Sequence, residues 1–225
     1  MKDNKTASKK KKQTLRQEKR KRQRYLRISA AAIGLSMVLG YFLWPRPQAQ
    51  AVSQDRLNDD PIIGSINAPV TIVEYGDFGC PSCRAWHNAG ILEQVQAVYG
   101  DQVRFVWRDF PVITAQSPKA AEAAQCAYDQ GYFWEYHDLL FEQANSLRAS
   151  DLKRYAEDLG LDNTLFNQCL DSRQYQATVE KDLQDAYRRR FRGTPSFLVN
   201  DQALAGPPTF EILQSLIDPI LMNNN

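Results

Sequence analysis

Cysteine and histidine are scarce in this sequence, which has four cysteines and two histidines among 225 residues. It contains no internal repeat, and this absence excludes solenoid and propeller architectures, which stack several similar units. The best zinc-ligand set by spacing is Cys80, Cys83 and His87, one ligand short of the four that a structural zinc site uses. We therefore expect no resident metal and no other cofactor.

The near-neutral net charge of +2 hides an asymmetry along the chain. Residues 1–27 contain thirteen Lys or Arg and two acidic residues, a net charge of +11. The remaining 198 residues contain fifteen Lys or Arg and twenty-four acidic residues, a net charge of −9. A basic tail thus precedes an acidic body, which is large enough for one domain with a sizeable core.

An uncharged apolar segment, residues 28–44, follows the basic tail. As a helix from Leu26 it is about 28 Å long, just enough to cross a bilayer. Because positively charged flanks stay in the cytoplasm, the pattern predicts a single-pass anchor with a cytoplasmic N-terminus and an extracytoplasmic body. Residues 45–60, rich in Pro, Gln, Ala and Asp, are predicted to form a linker.

Other interpretations of the N-terminal region stay open. Ala49-Gln50-Ala51 has the small-x-small pattern of a cleavage site, so the segment is alternatively a signal peptide that is removed near Ala51. The basic tail is alternatively a nucleic-acid-binding arm. Tyr25, near its end, is the only aromatic residue of the tail, and membrane topology explains the positive charges more simply. We therefore expect no nucleic-acid partner.

A Cys-Pro-Ser-Cys motif, residues 80–83, is the centre of the body. Residues 70–75 before it are rich in β-branched and aromatic residues, which predicts a buried strand. Apolar residues at helical spacing after it predict a helix over residues 80–99. Cys80 then lies at the first helical turn, where unpaired N–H groups and the helix dipole favour a thiolate. We expect Cys80 to be exposed and Cys83 to be shielded.

The rest of the body predicts an α/β fold with a long helical block. The predicted elements are a strand at residues 103–108, helices within about 115–190, strands at 196–200 and near 203–204, and a helix at 209–221. Asp162 is a candidate N-cap within the block. The first strand–helix–strand unit implies a right-handed parallel crossover.

This order of elements, with CxxC opening the first helix, resembles the thioredoxin fold, and the inserted helices resemble the DsbA type in its membrane-anchored branch. The resemblance covers the body from about Asp60 to the C-terminus, residues 61–225 as a domain. It is carried by PVTIVEYGDFGCPSC at residues 69–83, by Phe133-Trp134 with His137-Asp138, and by GTPSFLVN at residues 193–200.

The resemblance implies an exported thiol–disulfide oxidoreductase that introduces disulfides into secreted or envelope proteins by exchange at Cys80 and Cys83. It implies a cis bond at Thr194-Pro195, for which the alternative is an ordinary strand-initiating proline. It also implies proton relay by Glu74, for which the alternative is a solvated charge. The implied partners are reduced exported proteins and a quinone-linked membrane reoxidase of DsbB or VKOR type.

Cys126 and Cys169 remain once the CxxC cysteines are paired by proximity. Export favours a structural disulfide between them, and buried free thiols are the alternative. His87 is interpreted as a surface or interface residue, and His137 as a packing residue with a hydrogen bond. A group of arginines, Arg188, Arg189, Arg190 and Arg192, is read as cations at a helix C-terminus or as a positive rim near Cys80.

Two alternative functions remain. A disulfide reductase or isomerase would use the same fold and the same cysteine pair. A tethered module that binds metal or client proteins through CxxC belongs to a different class.

Overall fold

The computed structural model describes residues 60–143 and 146–223. The predicted tail and anchor lie outside these ranges and stay predictions. Within them, no helix combines the length and apolar character needed to span a membrane. The elements are β1 (Ile62–Ile63), β2 (Val70–Gly76), α1 (Pro81–Asn88), α2 (Ile91–Tyr99), β3 (Val103–Asp109), α3 (Ser117–Tyr128), α4 (Phe133–Glu142), α5 (Ala149–Asp158), α6 (Asn163–Ser172), α7 (Gln176–Arg188), β4 (Ser196–Val199), β5 (Gln202–Ala205) and α8 (Phe210–Asn223).

Five strands form one mixed sheet in the order β1–β3–β2–β4–β5. β2 and β3 are parallel, with Val70 opposite Val103 and Gly76 opposite Asp109, and the other neighbouring pairs are antiparallel. The helices α1 and α2 supply the predicted crossover between the parallel strands. The α/β order predicted from the sequence is confirmed, with β1 added as an edge strand too short to carry a sequence pattern.

Side-chain alternation along β2 divides the core between the two faces of the sheet. Val70 and Ile72 pack with residues of α1, α2 and α8, whereas Val73 and Tyr75 pack with residues of β3, β4 and α7. Glu74 shares the parity of Val70 and Ile72 and is only 3% exposed. The sheet therefore presents a buried carboxylate toward the face that α1 covers.

The single helix predicted over residues 80–99 is two helices, α1 and α2. Gly90 separates them with a φ of 66°, a left-handed conformation that glycine adopts without strain. Trp86 of α1 and Val95 of α2 still bury in the same cluster. Because the apolar spacing continues through the break, the sequence pattern did not reveal it.

The helical insertion, α3 to α7, lies between β3 and β4 in the chain. Asp162 caps α6 as predicted, accepting hydrogen bonds from the N–H groups of Thr164 and Leu165 at 2.8 and 3.0 Å. A disulfide joins Cys126 of α3 to Cys169 of α6, the pairing that the sequence favours over free thiols. The bridge fastens two helices within the insertion.

A buried arginine ties the insertion to the sheet. Arg108 of β3 donates from Nε to Asp60 at 2.7 Å and from a terminal nitrogen to Asp185 of α7 at 2.9 Å. The Tyr75 hydroxyl donates to the same Asp185 oxygen at 2.5 Å. Removing one partner of such a buried pair typically costs about 3–5 kcal/mol, because a charge is left uncompensated. Asp60, the last residue of the predicted linker, is thereby held by the folded body.

Replacing both Cys126 and Cys169 with alanine removes a cross-link between residues 43 positions apart. We expect the free energy of unfolding to fall by about 4 kcal/mol, because the unfolded chain regains the entropy of an open loop. Urea denaturation of the wild type and the variant, with Cys80–Cys83 oxidised in both, measures the loss. A loss under about 1 kcal/mol would contradict a stabilising role for the bridge.

Candidate active site

A tight turn carries the chain from β2 to Cys80. The Cys80 N–H donates to the Asp77 carbonyl at 2.9 Å. One Asp77 carboxylate oxygen accepts from the Gly79 N–H, and the other accepts from the N–H groups of Val112 and Ile113, all at 2.7 Å. Asp77 is buried, so these charge-assisted bonds are strong. They fix the turn against the loop that follows β3.

Cys80 and Cys83 are both reduced and buried. Cys80, the N-cap residue of α1, is 3% exposed, and Cys83 has no exposed surface. The Cys80 thiol donates to the Thr194 carbonyl oxygen at 3.3 Å. The expectation of an exposed Cys80 is therefore wrong, because the Thr194–Pro195 loop covers its sulfur.

The environment makes Cys80 acidic. The hydrogen bond from the Cys83 thiol is the largest of several effects that together lower the pKa of Cys80 from 9.0 to about 5, although burial opposes the shift. The Thr194 side chain and the N–H groups of Cys83 and Ser82 stabilise the thiolate further. The Thr194 hydroxyl is buried and has no other hydrogen-bond partner within the described ranges, so it is placed to donate to the thiolate.

The environment keeps Cys83 and Glu74 protonated. Burial raises the pKa of Cys83 above its usual value, and the hydrogen bond to Cys80 and, once Glu74 has ionised, the charge of Glu74 add to the increase. Burial, followed by the charge of Cys80, raises the pKa of Glu74 to about 8. Glu74 Oε1 is buried without a hydrogen-bond partner in the part of the chain described. At neutral pH the carboxyl group therefore holds its proton on the face that α1 covers.

The Thr194–Pro195 peptide bond is cis and immediately precedes β4. Beside it lies a cavity of about 370 Å³. The cavity is lined by Arg190, Phe191, Arg192, Gly193, Thr194, Pro195, Ser196 and Gly206. Thr194 both lines this cavity and accepts the hydrogen bond from the Cys80 thiol, so the cavity adjoins the residue that covers the reactive sulfur.

The arginines near the end of α7 fall into two pairs. Arg188 and Arg189 form ion pairs with Asp185 at 3.4 and 2.9 Å, which anchors the helix end to the buried network. Arg190 and Arg192 are exposed and line the cavity beside the cis bond. The interpretation as cations at the end of a helix fits Arg188 and Arg189. A positive rim near Cys80 would consist only of Arg190 and Arg192.

Sequence reasoning missed Asp77 and Asp138. A signal for Asp77 was its place between a strand and the motif, where an acidic side chain commonly caps a turn. His137 is buried among aromatic rings, as expected for a packing residue, and its Nδ1 lies 2.8 Å from Asp138. No sequence signal indicated that His87 and His137 meet.

Cys80 and Cys83 differ in acidity in a way that suits disulfide exchange. The Cys80 sulfur leaves readily as a thiolate, and the Cys83 sulfur stays protonated. On a thioredoxin-like sheet with a helical insertion, this pair defines a thiol–disulfide oxidoreductase of DsbA type. A family model described as thioredoxin matches residues 56–219. The chain therefore belongs to this thioredoxin family, and the resemblance to the DsbA type is confirmed, whereas the membrane-anchored branch stays a prediction.

Solved structures with the same architecture include oxidised BdbD from Bacillus subtilis, which is 25% identical with a TM-score of 0.68 over 78% of this chain and 97% of that chain. A thioredoxin-like oxidoreductase from Silicibacter pomeroyi is 29% identical with a TM-score of 0.68 over 76% of this chain and 99% of that chain. These similarities support redox chemistry of the thiol–disulfide kind.

Among curated proteins, the Na⁺/H⁺ antiporter NhaA 3 of Salinispora tropica is 39% identical over 160 residues, which are 70% of this chain and 24% of the antiporter. The NhaA 1 antiporter of Salinispora arenicola matches at 39% identity with the same coverage. The chain spans about a quarter of the length of the curated relatives it matches. The similarity therefore concerns one segment of those proteins.

We predict that the Cys80 thiol ionises with a midpoint near pH 5 in the reduced protein. The Cys83→Ala variant should show a higher midpoint, because the hydrogen bond from Cys83 is the largest stabilising influence on the thiolate. Ultraviolet absorbance of the thiolate during a pH titration measures both midpoints. Cys126 and Cys169 do not contribute, since they are disulfide-bonded. Identical midpoints in the two proteins would contradict the assignment.

We also predict that Glu74 makes stability pH-dependent. Its pKa is about 8 in the folded protein, against an ordinary value of 4.5, so its stabilising contribution is present below pH 4.5 and is lost as the pH rises to 8. The Glu74→Gln variant should therefore gain stability relative to the wild type across this window, by up to about 1.4 kcal/mol per pH unit. Urea denaturation at several pH values tests this, and a pH-independent difference would refute it.

Proposed function

We propose that the protein introduces disulfides into other proteins by exchange at Cys80 and Cys83. A substrate thiolate attacks the Cys80 sulfur of the oxidised pair, which forms a mixed disulfide and releases Cys83. Glu74, with a pKa of about 8, supplies a proton to the departing Cys83 sulfur. A second substrate thiolate then attacks the substrate sulfur of the mixed disulfide and expels Cys80 as a thiolate. The substrate dithiol has then lost two electrons, and the protein has gained them as its reduced pair, with Cys80 as a thiolate and Cys83 as a thiol.

The unequal acidity of the two sulfurs carries this proposal. A low pKa at Cys80 stabilises the reduced pair, which is the property of an oxidant. The raised pKa of Cys83 keeps that sulfur protonated, so it attacks the mixed disulfide slowly. The second thiol of the substrate then resolves the mixed disulfide more often than Cys83 does, which favours oxidation of the substrate.

The cavity beside Thr194–Pro195 is the proposed binding site of the substrate segment. Pro195 has no N–H group, and the chain next to it is the start of the β4 strand. An extended peptide that pairs with the Thr194 backbone places its cysteine at the Cys80 sulfur. Binding of this kind depends on main-chain atoms, which all peptides share, and it therefore suits an enzyme with many substrates.

The proposed location is outside the cytoplasmic membrane. Residues 28–44 are the proposed anchor, with the basic tail inside and the redox domain outside, and secretion after cleavage near Ala51 is the alternative. The Cys126–Cys169 disulfide supports an oxidising compartment. The relatives named Na⁺/H⁺ antiporter support a membrane setting, because an antiporter works across a membrane. Reduced exported proteins are the proposed substrates, and a quinone-linked membrane protein of DsbB or VKOR type is the proposed reoxidase.

The other functions use the same motif differently. A reductase or isomerase of this fold would need a pair that gives up its electrons readily. A module that binds metal through CxxC would need both sulfurs as thiolates, and the raised pKa of Cys83 opposes this. The asymmetry of the pair thus supports oxidative exchange over both.

The Cys83→Ala variant, first converted at Cys80 to a mixed disulfide with oxidised glutathione, should accumulate mixed disulfides with a reduced, unfolded client protein as client thiolates attack Cys80 and displace glutathione. Cys80 still exchanges with an oxidised client or a small disulfide, but no intramolecular attack by Cys83 can release the bound partner. Non-reducing gels and mass spectrometry of the adduct identify Cys80 as the linked residue. The Cys80→Ala variant is the matched control and should form no adduct.

Absence of Cys80 adducts in the Cys83→Ala variant would overturn the proposed chemistry. The direction of exchange is measured by equilibrating the wild-type pair with a series of glutathione ratios. A reduction potential near that of thioredoxin, about −270 mV, would replace the oxidase with a reductase.

A further inference from the structure

The chain has only two histidines, and the fold brings them together. His87 lies in the last turn of α1, and His137 lies in the middle of α4. Their ring centroids are 5.4 Å apart and their planes are nearly perpendicular. The two histidines of the chain are therefore in contact. Both can bind metal, and they meet at the junction where α1 contacts the helical insertion.

A carboxylate completes the group. Asp138 Oδ1 lies 2.8 Å from His137 Nδ1 and 3.9 Å from His87 Nε2. One ligand atom from each of the three residues lies within 4.8 Å of the others. The three side chains differ in exposure, since His137 is buried, His87 is 21% exposed and Asp138 is 55% exposed. The group therefore opens to solvent on its Asp138 side.

The dimensions match those of a tetrahedral metal site. With Zn–N and Zn–O bonds of about 2.0–2.1 Å, adjacent ligand atoms are about 3.3 Å apart, and two bound imidazole centroids are about 5.2 Å apart. The 2.8 and 3.9 Å separations to Asp138 bracket the first value. The 5.4 Å separation of the rings is close to the second. Small side-chain movements thus bring all three ligands onto one ion.

His137 presents only one nitrogen to polar surroundings. Its Nε2 is buried without a hydrogen-bond partner among the described residues, whereas Nδ1 faces Asp138. Aromatic rings fix the imidazole, with Trp107 and Phe141 at centroid distances of 4.8 and 4.9 Å. A ligand held by packing in this way loses little freedom when a metal binds.

We propose that His87, His137 and Asp138 bind a divalent transition-metal ion such as Zn²⁺. Two imidazoles and a carboxylate suit zinc and neighbouring transition metals, whereas Mg²⁺ and Ca²⁺ prefer oxygen ligands. Three protein ligands leave one coordination position for water. This revises the expectation that the protein holds no metal, and it is independent of the proposed exchange chemistry.

A bound ion joins the redox helix to the helical insertion. His87 lies one turn beyond Cys83 on α1, and the other two ligands lie on α4. Coordination therefore fixes α1 against α4 and stabilises the folded state in proportion to metal occupancy. It also adds positive charge near the C-terminal end of α1, which the helix dipole favours.

The test uses the full-length protein with Cys80–Cys83 oxidised, so that no thiolate is available to bind metal. Zn²⁺ affinity is measured by competition with a chromophoric chelator, and the melting temperature is measured with and without Zn²⁺. Co²⁺ serves as a spectroscopic probe. We expect saturable binding of one ion per chain, a rise in melting temperature, and visible cobalt bands without the thiolate-to-cobalt charge-transfer band.

Two ligand variants and one control separate the site from general surface binding. His87→Gln and Asp138→Asn should each weaken Zn²⁺ binding by at least about tenfold, since even outer-shell changes cost that much. Glu135→Gln removes an exposed carboxylate from the same helix, α4, and should leave binding unchanged. Asp138→His keeps a ligand at the position and should retain binding.

Absence of saturable Zn²⁺ binding by the oxidised protein would overturn the proposal. Binding of equal strength in His87→Gln or Asp138→Asn would overturn it as well, since the ion would then lie elsewhere. Because His137 belongs to the aromatic core, it is left intact in all variants, and circular dichroism verifies that each variant is folded.

Discussion

The hydrogen bond from the Cys83 thiol to the Cys80 sulfur is the interaction on which the site depends. It makes Cys80 the acidic partner and leaves Cys83 protonated, so that the two halves of an exchange reaction fall to different sulfurs. The surrounding structure maintains this difference. Asp77 fixes the turn before the pair, and Thr194 adds a hydrogen-bond donor to the Cys80 thiolate. Without this geometry the pair is an ordinary dithiol.

The buried carboxyl group of Glu74, at the site, differs in environment from that of Asp185, which lies elsewhere in the fold. On the other face of the sheet, Asp185 is matched by Arg108 and Arg189, which hold its pKa below the ordinary range. Among the described residues no such cation lies beside Glu74, and burial raises its pKa to about 8. Within the described residues, the fold places counter-ions beside Asp185 but not beside Glu74. Glu74 therefore keeps its proton and can act as a proton donor at the site.

Much of this arrangement was predictable from the sequence. The β-branched run before CxxC, the helical spacing after it and the Thr194-Pro195 break led to the confirmed α/β order. The break at Gly90 was missed because the apolar spacing runs through it, and Cys80 was expected to be exposed because its cover comes from residues over a hundred positions later. Asp138 was missed because short-range patterns do not report which helix faces meet.

The oxidising strength of the pair cannot be assigned from the motif alone. Within the dipeptide, Ser82 contributes through its backbone N–H, which is one of several groups that stabilise the Cys80 thiolate. Glu74 and Thr194 act on the same sulfurs from positions six residues before and 114 residues after Cys80. Two proteins with the same dipeptide will therefore differ in potential wherever the strand acid or the residue before the cis-proline differs.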